Sequence, residues 1–215
     1  MARVPPPESR VRPLLSLRDR KVFRIADSRP AVYYIAEREI GGVLVNAPPF
    51  DSALFAALGM HAPLRYIFLP SARGARDAQA WRAASGAETL ATEAEAAAIH
   101  GTIDLALYAG RKLSRTIDFL PMSGVTAGSC ALHIRTNGGV LFLGPILEPA
   151  ADGWPTLVPH ADDASPENRL IGALGLQDIA FEYAFTDVFC ARRTRYGPGA
   201  GEAVKERLRR LLEAG

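Results

Sequence analysis

The sequence predicts an α/β protein built as a four-layer αββα sandwich, two mixed β-sheets packed face to face with helices on their outer faces. Three observations lead there. Strand-like runs fall into two groups, one before residue 70 and one after residue 102. Each group is joined to segments of helical propensity, so each sheet has helices to cover one face and needs the other sheet for its second. Turn chemistry punctuates the runs, above all Asn137-Gly138-Gly139, whose first two residues are a strong hairpin signal.

Residues 1–13 read as a flexible tail, because Pro5, Pro6 and Pro7 fix φ, remove donors and offer nothing to bury. Residues 14–215 then form one domain. β-type runs at 22–26, 32–36 and 42–46, parted by Ser28-Arg29-Pro30 and Gly41-Gly42, predict an antiparallel start. Residues 51–58 predict a short helix: Asp51 or Ser52 caps it, Leu54, Phe55 and Leu58 share a face, and Gly59 ends it. A strand at 65–69, a loop at 70–74 and an Ala-rich helix at 75–84 closed by Gly86 follow. Thr92 and Glu95 form a capping-box pair ahead of a helix at 96–99. In the second half, runs at 103–108, 116–120, 131–136 and 140–143 read as strands. Residues 148–166, rich in Pro, Asp and Ala, read as a long surface loop. Ser165 and Pro166 start a helix as N-cap and first helical residue. Residues 184–190 alternate as a last strand, and Val204, Leu208, Leu211 and Leu212 stripe a C-terminal helix.

Of the 215 residues, 48% are hydrophobic and 22% charged, which supports a buried core and excludes a disordered or collagen-like chain. A formal net charge of +2 requires neither nucleic acid nor an acidic membrane as partner. Only 3 of the 25 basic residues are lysines, beside 36 alanines, a bias that reads as GC-rich codon usage. Cys130 and Cys190 stand far apart without CxxC spacing, so two reduced, buried thiols are expected rather than a disulfide framework or a zinc ribbon. No apolar run reaches the roughly 18 residues of a membrane span, and the first 12 residues lack a hydrophobic segment. A cytoplasmic, bacterial protein without a membrane partner is expected, its oligomeric state open and a homodimer included.

Three stretches together resemble the metallo-β-lactamase fold superfamily. Val32-Tyr33-Tyr34-Ile35 followed by Gly42-Val43-Leu44-Val45-Asn46 looks like the family's opening hairpin, with Asn46 where an aspartate often stands. Pro121-Met122-Ser123-Gly124-Val125-Thr126-Ala127-Gly128-Ser129 is similar to its glycine-rich loop, P-x-P-G-H-T-P-G-S. Val140-Leu141-Phe142-Leu143-Gly144-Pro145 looks like the strand that ends in Gly-Asp in active members. The resemblance runs from about Val22 to Leu212. It places the family's metal loop, H-x-H-x-D-H, at Ser71-Ala72-Arg73-Gly74-Ala75-Arg76, so Ser71, Arg73, Ala75 and Arg76 hold four ligand positions. Val125 takes the place of a later histidine and Pro145 that of the bridging aspartate; the last ligand should lie near Ala191-Arg192-Arg193, and the final histidine of the chain is His160.

Zinc needs three or four N, S or O donors, and the two-metal reaction uses the ions to acidify water and hold the developing oxyanion. The resemblance therefore implies a degenerate member with no metal and no cofactor. The family's loop carries a formal negative charge, whereas residues 71–76 carry +2, so a cation is repelled and an anion attracted. Ser71, Arg73 and Arg76, with Arg192 or Arg193 facing them, are the candidates for an anionic small molecule. The bland alternative is that these arginines are solvated or paired with Asp77 or Glu95.

Other groups read as follows. His160, Asp162 and Asp163 are metal-type donors in a loop with one imidazole, and a solvated loop is the simpler reading. His133 is a strand residue, and His61 and His100 lack partners at metal spacing. Ser129 follows a glycine turn but not in a G-x-S-x-G pattern. Asp51, Asp77, Asp104 and Asp118 read as caps and surface charges; Trp81 reads as core packing, and Trp154, inside the Pro/Asp loop, as a candidate wall of a ligand cleft. The leading expectation is a metal-free, non-hydrolytic binding or scaffolding protein. The alternatives are a hydrolase using His160, Asp162 or Asp51, or working without metal through Ser71 or Ser129, and weak nucleic-acid binding through the arginines and residues 205–210.

Overall fold

The computed structural model describes residues 10–108 and 110–214. It is mixed α/β, with two large mixed sheets and helices. The first sheet has seven strands in the order β1 (Val11–Ser16), β2 (Arg20–Ile25), β3 (Val32–Glu37), β4 (Gly41–Val45), β5 (Leu64–Phe68), β6 (Glu88–Thr92) and β7 (Leu105–Leu107). Strands β1 to β4 pair antiparallel, and β4–β5 and β5–β6 pair parallel. Helices α1 (Ser52–Gly59) and α2 (Ala78–Ser85) supply the parallel crossovers, which a hairpin cannot make.

The second sheet has five strands: β8 (Lys112–Ser114), β9 (Ile117–Pro121), β10 (Cys130–Ile134), β11 (Val140–Gly144) and β14 (Tyr183–Thr186), in the order β14-β11-β10-β9-β8. Strands β10 and β11 form the expected antiparallel hairpin. Its turn needs positive φ, and Asn137, Gly138 and Gly139 adopt 55°, 83° and 87°. Strand β14 adds parallel to β11. A small hairpin, β12 (Glu148–Pro149) with β13 (Pro155–Thr156), stands inside the segment expected to be a plain loop. Helices α3 (Glu93–Ala96), α4 (Pro166–Leu174) and α5 (Ala200–Ala214) complete the elements.

The chain divides into two compact units. One holds the residues up to Leu69, Arg73–Ala91 and Ile99–Ala106; the other holds Pro70–Ala72, Thr92–Ala98 and the residues from Leu107 on. In the first, Trp81 is fully buried, its indole N–H donating to the Pro48 carbonyl at 2.8 Å, with Phe50 and Phe55 edge-on to the ring. In the second, Leu141, Leu143, Ile146, Leu147, Leu176 and Phe181 form the core against which Val204 and Leu208 of α5 pack.

Several expectations are corrected. Strand β1 begins inside the segment expected to be tail; residues 1–9 of that segment lie outside the described residues. Pro13 is tolerated there because β1 is an edge strand with a bulge between Pro13 and Leu15. Helix α3 starts directly after Thr92, whose hydroxyl accepts the Glu95 N–H, so the capping box encloses the helix start instead of preceding it. Strand β6 was not expected, because its short Thr-Leu-Ala run lacks alternation: it is buried on both faces. Cys130 is buried but Cys190 is exposed, and both thiols are free. The stripe on α5 is half-covered, with Val204 and Leu208 buried and Leu211 and Leu212 exposed. Among the described residues, no helix is long and apolar enough to cross a membrane.

Candidate functional site

Residues 70–72 lead from β5 into a 3-10 turn, Ala72–Gly74. Ser71 is fully buried, and its hydroxyl has no hydrogen-bond partner. The segment is fixed from two sides within its own unit: the Cys130 N–H donates to the Pro70 carbonyl at 2.9 Å, and the Ala72 N–H donates to a carboxylate oxygen of Glu95 at 2.5 Å. The other oxygen of Glu95 accepts the Gly128 N–H at 2.8 Å, while Thr92 Oγ1 donates to the Gly128 carbonyl at 2.6 Å. Glu95 is thus a buried carboxylate that ties the Pro70–Ala72 segment to the glycine-rich loop through backbone N–H dipoles. Its charge and burial also push the Cys130 thiol pKa up, burial being the larger cause, so this cysteine stays protonated.

The glycine-rich loop is closed on itself. Ser129 donates to the Met122 carbonyl at 2.9 Å, and the Met122 N–H returns to the Ser129 carbonyl at 3.0 Å. That hydroxyl serves the turn and is only 1% exposed. Val125 is buried within the loop, and Pro145 is buried just beyond β11. Among the remaining positions that the resemblance assigns to ligands, Ala75 is half-buried and Arg73 and Arg76 are exposed. In the same unit as Arg73, Asn46 holds a left-handed φ of 63° and donates from Nδ2 to the Ala31 carbonyl at 2.8 Å. Asp77 accepts the Phe50 N–H at 2.8 Å.

The six positions that the sequence resemblance assigns to metal ligands therefore offer one buried neutral hydroxyl, two guanidinium cations and three side chains without any donor. This set does not fit a zinc ion, which takes thiolate, imidazole or carboxylate donors. Nor, among the described residues, do three His, Cys, Asp or Glu side chains gather anywhere that could hold a metal ion.

Arg192 and Arg193 lie on an exposed turn after β14. The other sequence candidates are committed elsewhere. His160 Nε2 lies 2.6 Å from Glu148 Oε1. Asp163 accepts two hydrogen bonds from Arg169 Nη1, at 2.7 and 2.9 Å, and the His160 N–H at 3.0 Å. Burial alone would raise the Asp163 pKa, but the His160 N–H and the Arg169 guanidinium outweigh it and hold the carboxyl below its usual range. Arg169 itself is 2% exposed and also donates to the carbonyls of Pro145, Ile146 and Val158. Asp51 caps α1 and pairs with Arg10, with its carboxyl held low first by the Leu54 N–H. Asp104 receives both Arg82 Nε and Nη2, which keep it ionised. The His133 ring donates from Nε2 to the Ala180 carbonyl at 3.3 Å, and burial, the largest effect on it, lowers its pKa. Trp154 is partly buried against the second core, with the Arg195 guanidinium 5.6 Å above its ring.

Sequence reasoning missed three of these residues. Arg169 was one helical arginine among many, Glu148 lay in a presumed loop, and Glu95 was read as half of a capping box. Only Glu95 carried a usable signal, since a box glutamate that does not turn back to its cap is free to reach other N–H groups.

No family model and no curated protein matches the chain. Solved structures do. A metallo-β-lactamase from Cronobacter sakazakii described by a HARLDQ motif superposes with a TM-score of 0.64 at 12% identity, covering 95% of this chain and 97% of its own. The metallo-β-lactamase SMB-1, solved with mercaptoacetic acid, gives 0.66 at 15% identity over 94% and 95%. BJP-1, a subclass B3 metallo-β-lactamase of Bradyrhizobium japonicum, gives 0.63 at 13% over 94% of each chain. Likeness over nearly the whole length, together with the two mixed sheets and the strand order, establishes that this chain has the metallo-β-lactamase fold.

Proposed function

We propose that the chain is a metal-free, non-hydrolytic protein of this fold that acts by binding, with an anionic small molecule as its ligand. The donor set carries the reading: Ser71, Arg73, Ala75, Arg76, Val125 and Pro145 supply no carboxylate, imidazole or thiolate at any position the resemblance assigns to a metal ligand. Removing the acids and histidines while adding Arg73 and Arg76 reverses the local charge, and guanidinium groups favour carboxylate and phosphate. The Cronobacter protein's motif, H-A-R-L-D-Q, agrees with residues 71–76 at Ala72 and Arg73. It keeps a histidine and an aspartate where this chain has Ser71 and Ala75.

The candidate anion contacts in the first unit are the exposed Arg73 and Arg76 and, separately, in the second the exposed Arg192 and Arg193, with Ser71 buried behind its own segment. A hydrolase built on unconventional donors would need free, solvent-reachable groups, whereas Asp51, Ser129, His160 and Asp162 are already engaged and the unpartnered Ser71 hydroxyl is sealed from solvent. Thermal-shift measurement with phosphate, nucleotides and dicarboxylates tests the reading. A ligand present at about 100 times its Kd contributes about 2.7 kcal/mol, equivalent to a Tm rise of about 5–10 °C at this size. Joint Arg→Ala substitution at 73, 76, 192 and 193 should abolish the rise. No rise with any anion, or a rise that survives all four substitutions, would contradict it.

A further inference from the structure

The turn at residues 190–195 is built more rigidly than a surface loop requires. The Arg193 and Thr194 N–H groups both donate to the Cys190 carbonyl, at 2.9 and 2.8 Å, and the Thr194 hydroxyl accepts the Cys190 N–H at 2.8 Å. Beneath it, the Arg195 N–H donates to the Gly153 carbonyl at 2.8 Å, and the following Tyr196 carbonyl accepts the Ala184 N–H at 2.8 Å. Gly153 has φ of 89°, and any Cβ there would collide with the Arg193 carbonyl, so the turn sits directly on the backbone of the 150–154 segment.

This platform carries three arginines in four residues. Arg192 and Arg193 are exposed, and among the described residues neither guanidinium has a carboxylate or a hydrogen-bond partner. Arg195 is held over the Trp154 indole. The acid of the segment below, Asp152, is already paired with Arg207, so it does not discharge the turn. Arginines elsewhere in this unit are mostly neutralised, Arg135 by Asp118, Arg169 by Asp163, and Arg209 and Arg210 by Glu206.

From this geometry we infer that residues 190–195 anchor a small multivalent phosphate, held by Arg192, Arg193 and Arg195 acting together from a preformed turn. The inference rests on the anion-binding reading above and narrows it to one unit and one ligand class. Three guanidinium groups carried by one short turn match an anion of three or more charges better than a dicarboxylate or sulfate, and the closed backbone of the turn removes the backbone part of the ordering cost of binding.

Isothermal titration calorimetry with tripolyphosphate, orthophosphate, sulfate and succinate on the full chain tests it. The Arg192→Ala/Arg193→Ala variant is compared with Arg73→Ala/Arg76→Ala, and circular dichroism confirms that both remain folded. Tripolyphosphate should bind at least tenfold more tightly than sulfate or succinate, and its Kd should rise tenfold or more in Arg192→Ala/Arg193→Ala alone. If instead only Arg73→Ala/Arg76→Ala weakens binding, or if succinate binds as tightly, the inference fails and the broader anion reading stands. Absence of binding by every anion overturns both. A DNA oligonucleotide that binds more tightly than tripolyphosphate would assign the turn to nucleic acid and overturn the small-ligand class.

Discussion

Glu95 offers the sharpest test of how the Pro70–Ala72 segment and the glycine-rich loop are held together. The residue is 2% exposed, and its carboxylate accepts two backbone N–H groups, from Ala72 and Gly128. Glu95→Ala leaves both N–H groups buried without acceptors, at about 1–3 kcal/mol each. Part of that loss, on the order of 1–2 kcal/mol, is offset because a buried charge no longer has to be desolvated on folding. The net expectation is a destabilisation of about 1–4 kcal/mol. Glu95→Gln keeps one acceptor oxygen but turns an amide donor toward the other N–H, so about half of that loss is expected. Urea unfolding followed by circular dichroism reads both values. With m of about 2–3 kcal/mol/M, Glu95→Ala should lower the midpoint by about 0.3–2 M while leaving m unchanged. A loss of less than about 0.5 kcal/mol, the size of an ordinary surface substitution, would refute the claim that Glu95 ties the two segments together.

Two further outcomes follow from the Arg169–Asp163 pair, whose side chains are 2% and 1% exposed. Arg169→Ala strands a buried carboxylate and several carbonyls, so a loss of about 3–5 kcal/mol is expected in the same urea assay; a loss below 1 kcal/mol would show the pair to be dispensable. The pair also sets an acid limit. The folded Asp163 pKa lies below its unfolded value of about 3.9, so the unfolded state binds the proton first as pH falls. Its stabilisation is complete well above pH 4 and disappears as pH drops through the folded pKa. Wild type and Asp163→Asn should therefore differ in stability at pH 7 and converge toward pH 3, and a difference that is constant across that range would contradict the assignment.

What the sequence revealed follows from how local each signal is. The hairpin at Asn137, the Asp51 cap and the Ser165-Pro166 helix start depend on neighbours in the chain, and each stands where the local chemistry places it. The mixed α/β class with two sheets was legible from the spacing of strand-like runs. Strands β6 and β8 were not: β6 is buried on both faces and does not alternate, and β8 is three residues long. Strand β1 was hidden by Pro13, which an edge position tolerates. For the site, residue types alone exposed the missing metal donors. They could not expose that Ser71 is sealed from solvent, that Asp163 is consumed by Arg169, or that Arg192 and Arg193 sit on a braced turn, since each depends on contacts with residues distant in sequence.

The central claim is that the chain holds no metal-binding chemistry at positions 71, 73, 75, 76, 125 and 145. Its most direct test is elemental analysis by inductively coupled plasma mass spectrometry of protein purified without chelator and then dialysed against micromolar zinc. The account predicts well below one equivalent of zinc, iron or manganese per chain. One or more equivalents, retained through dialysis and lost on substitution within residues 71–76, would contradict it.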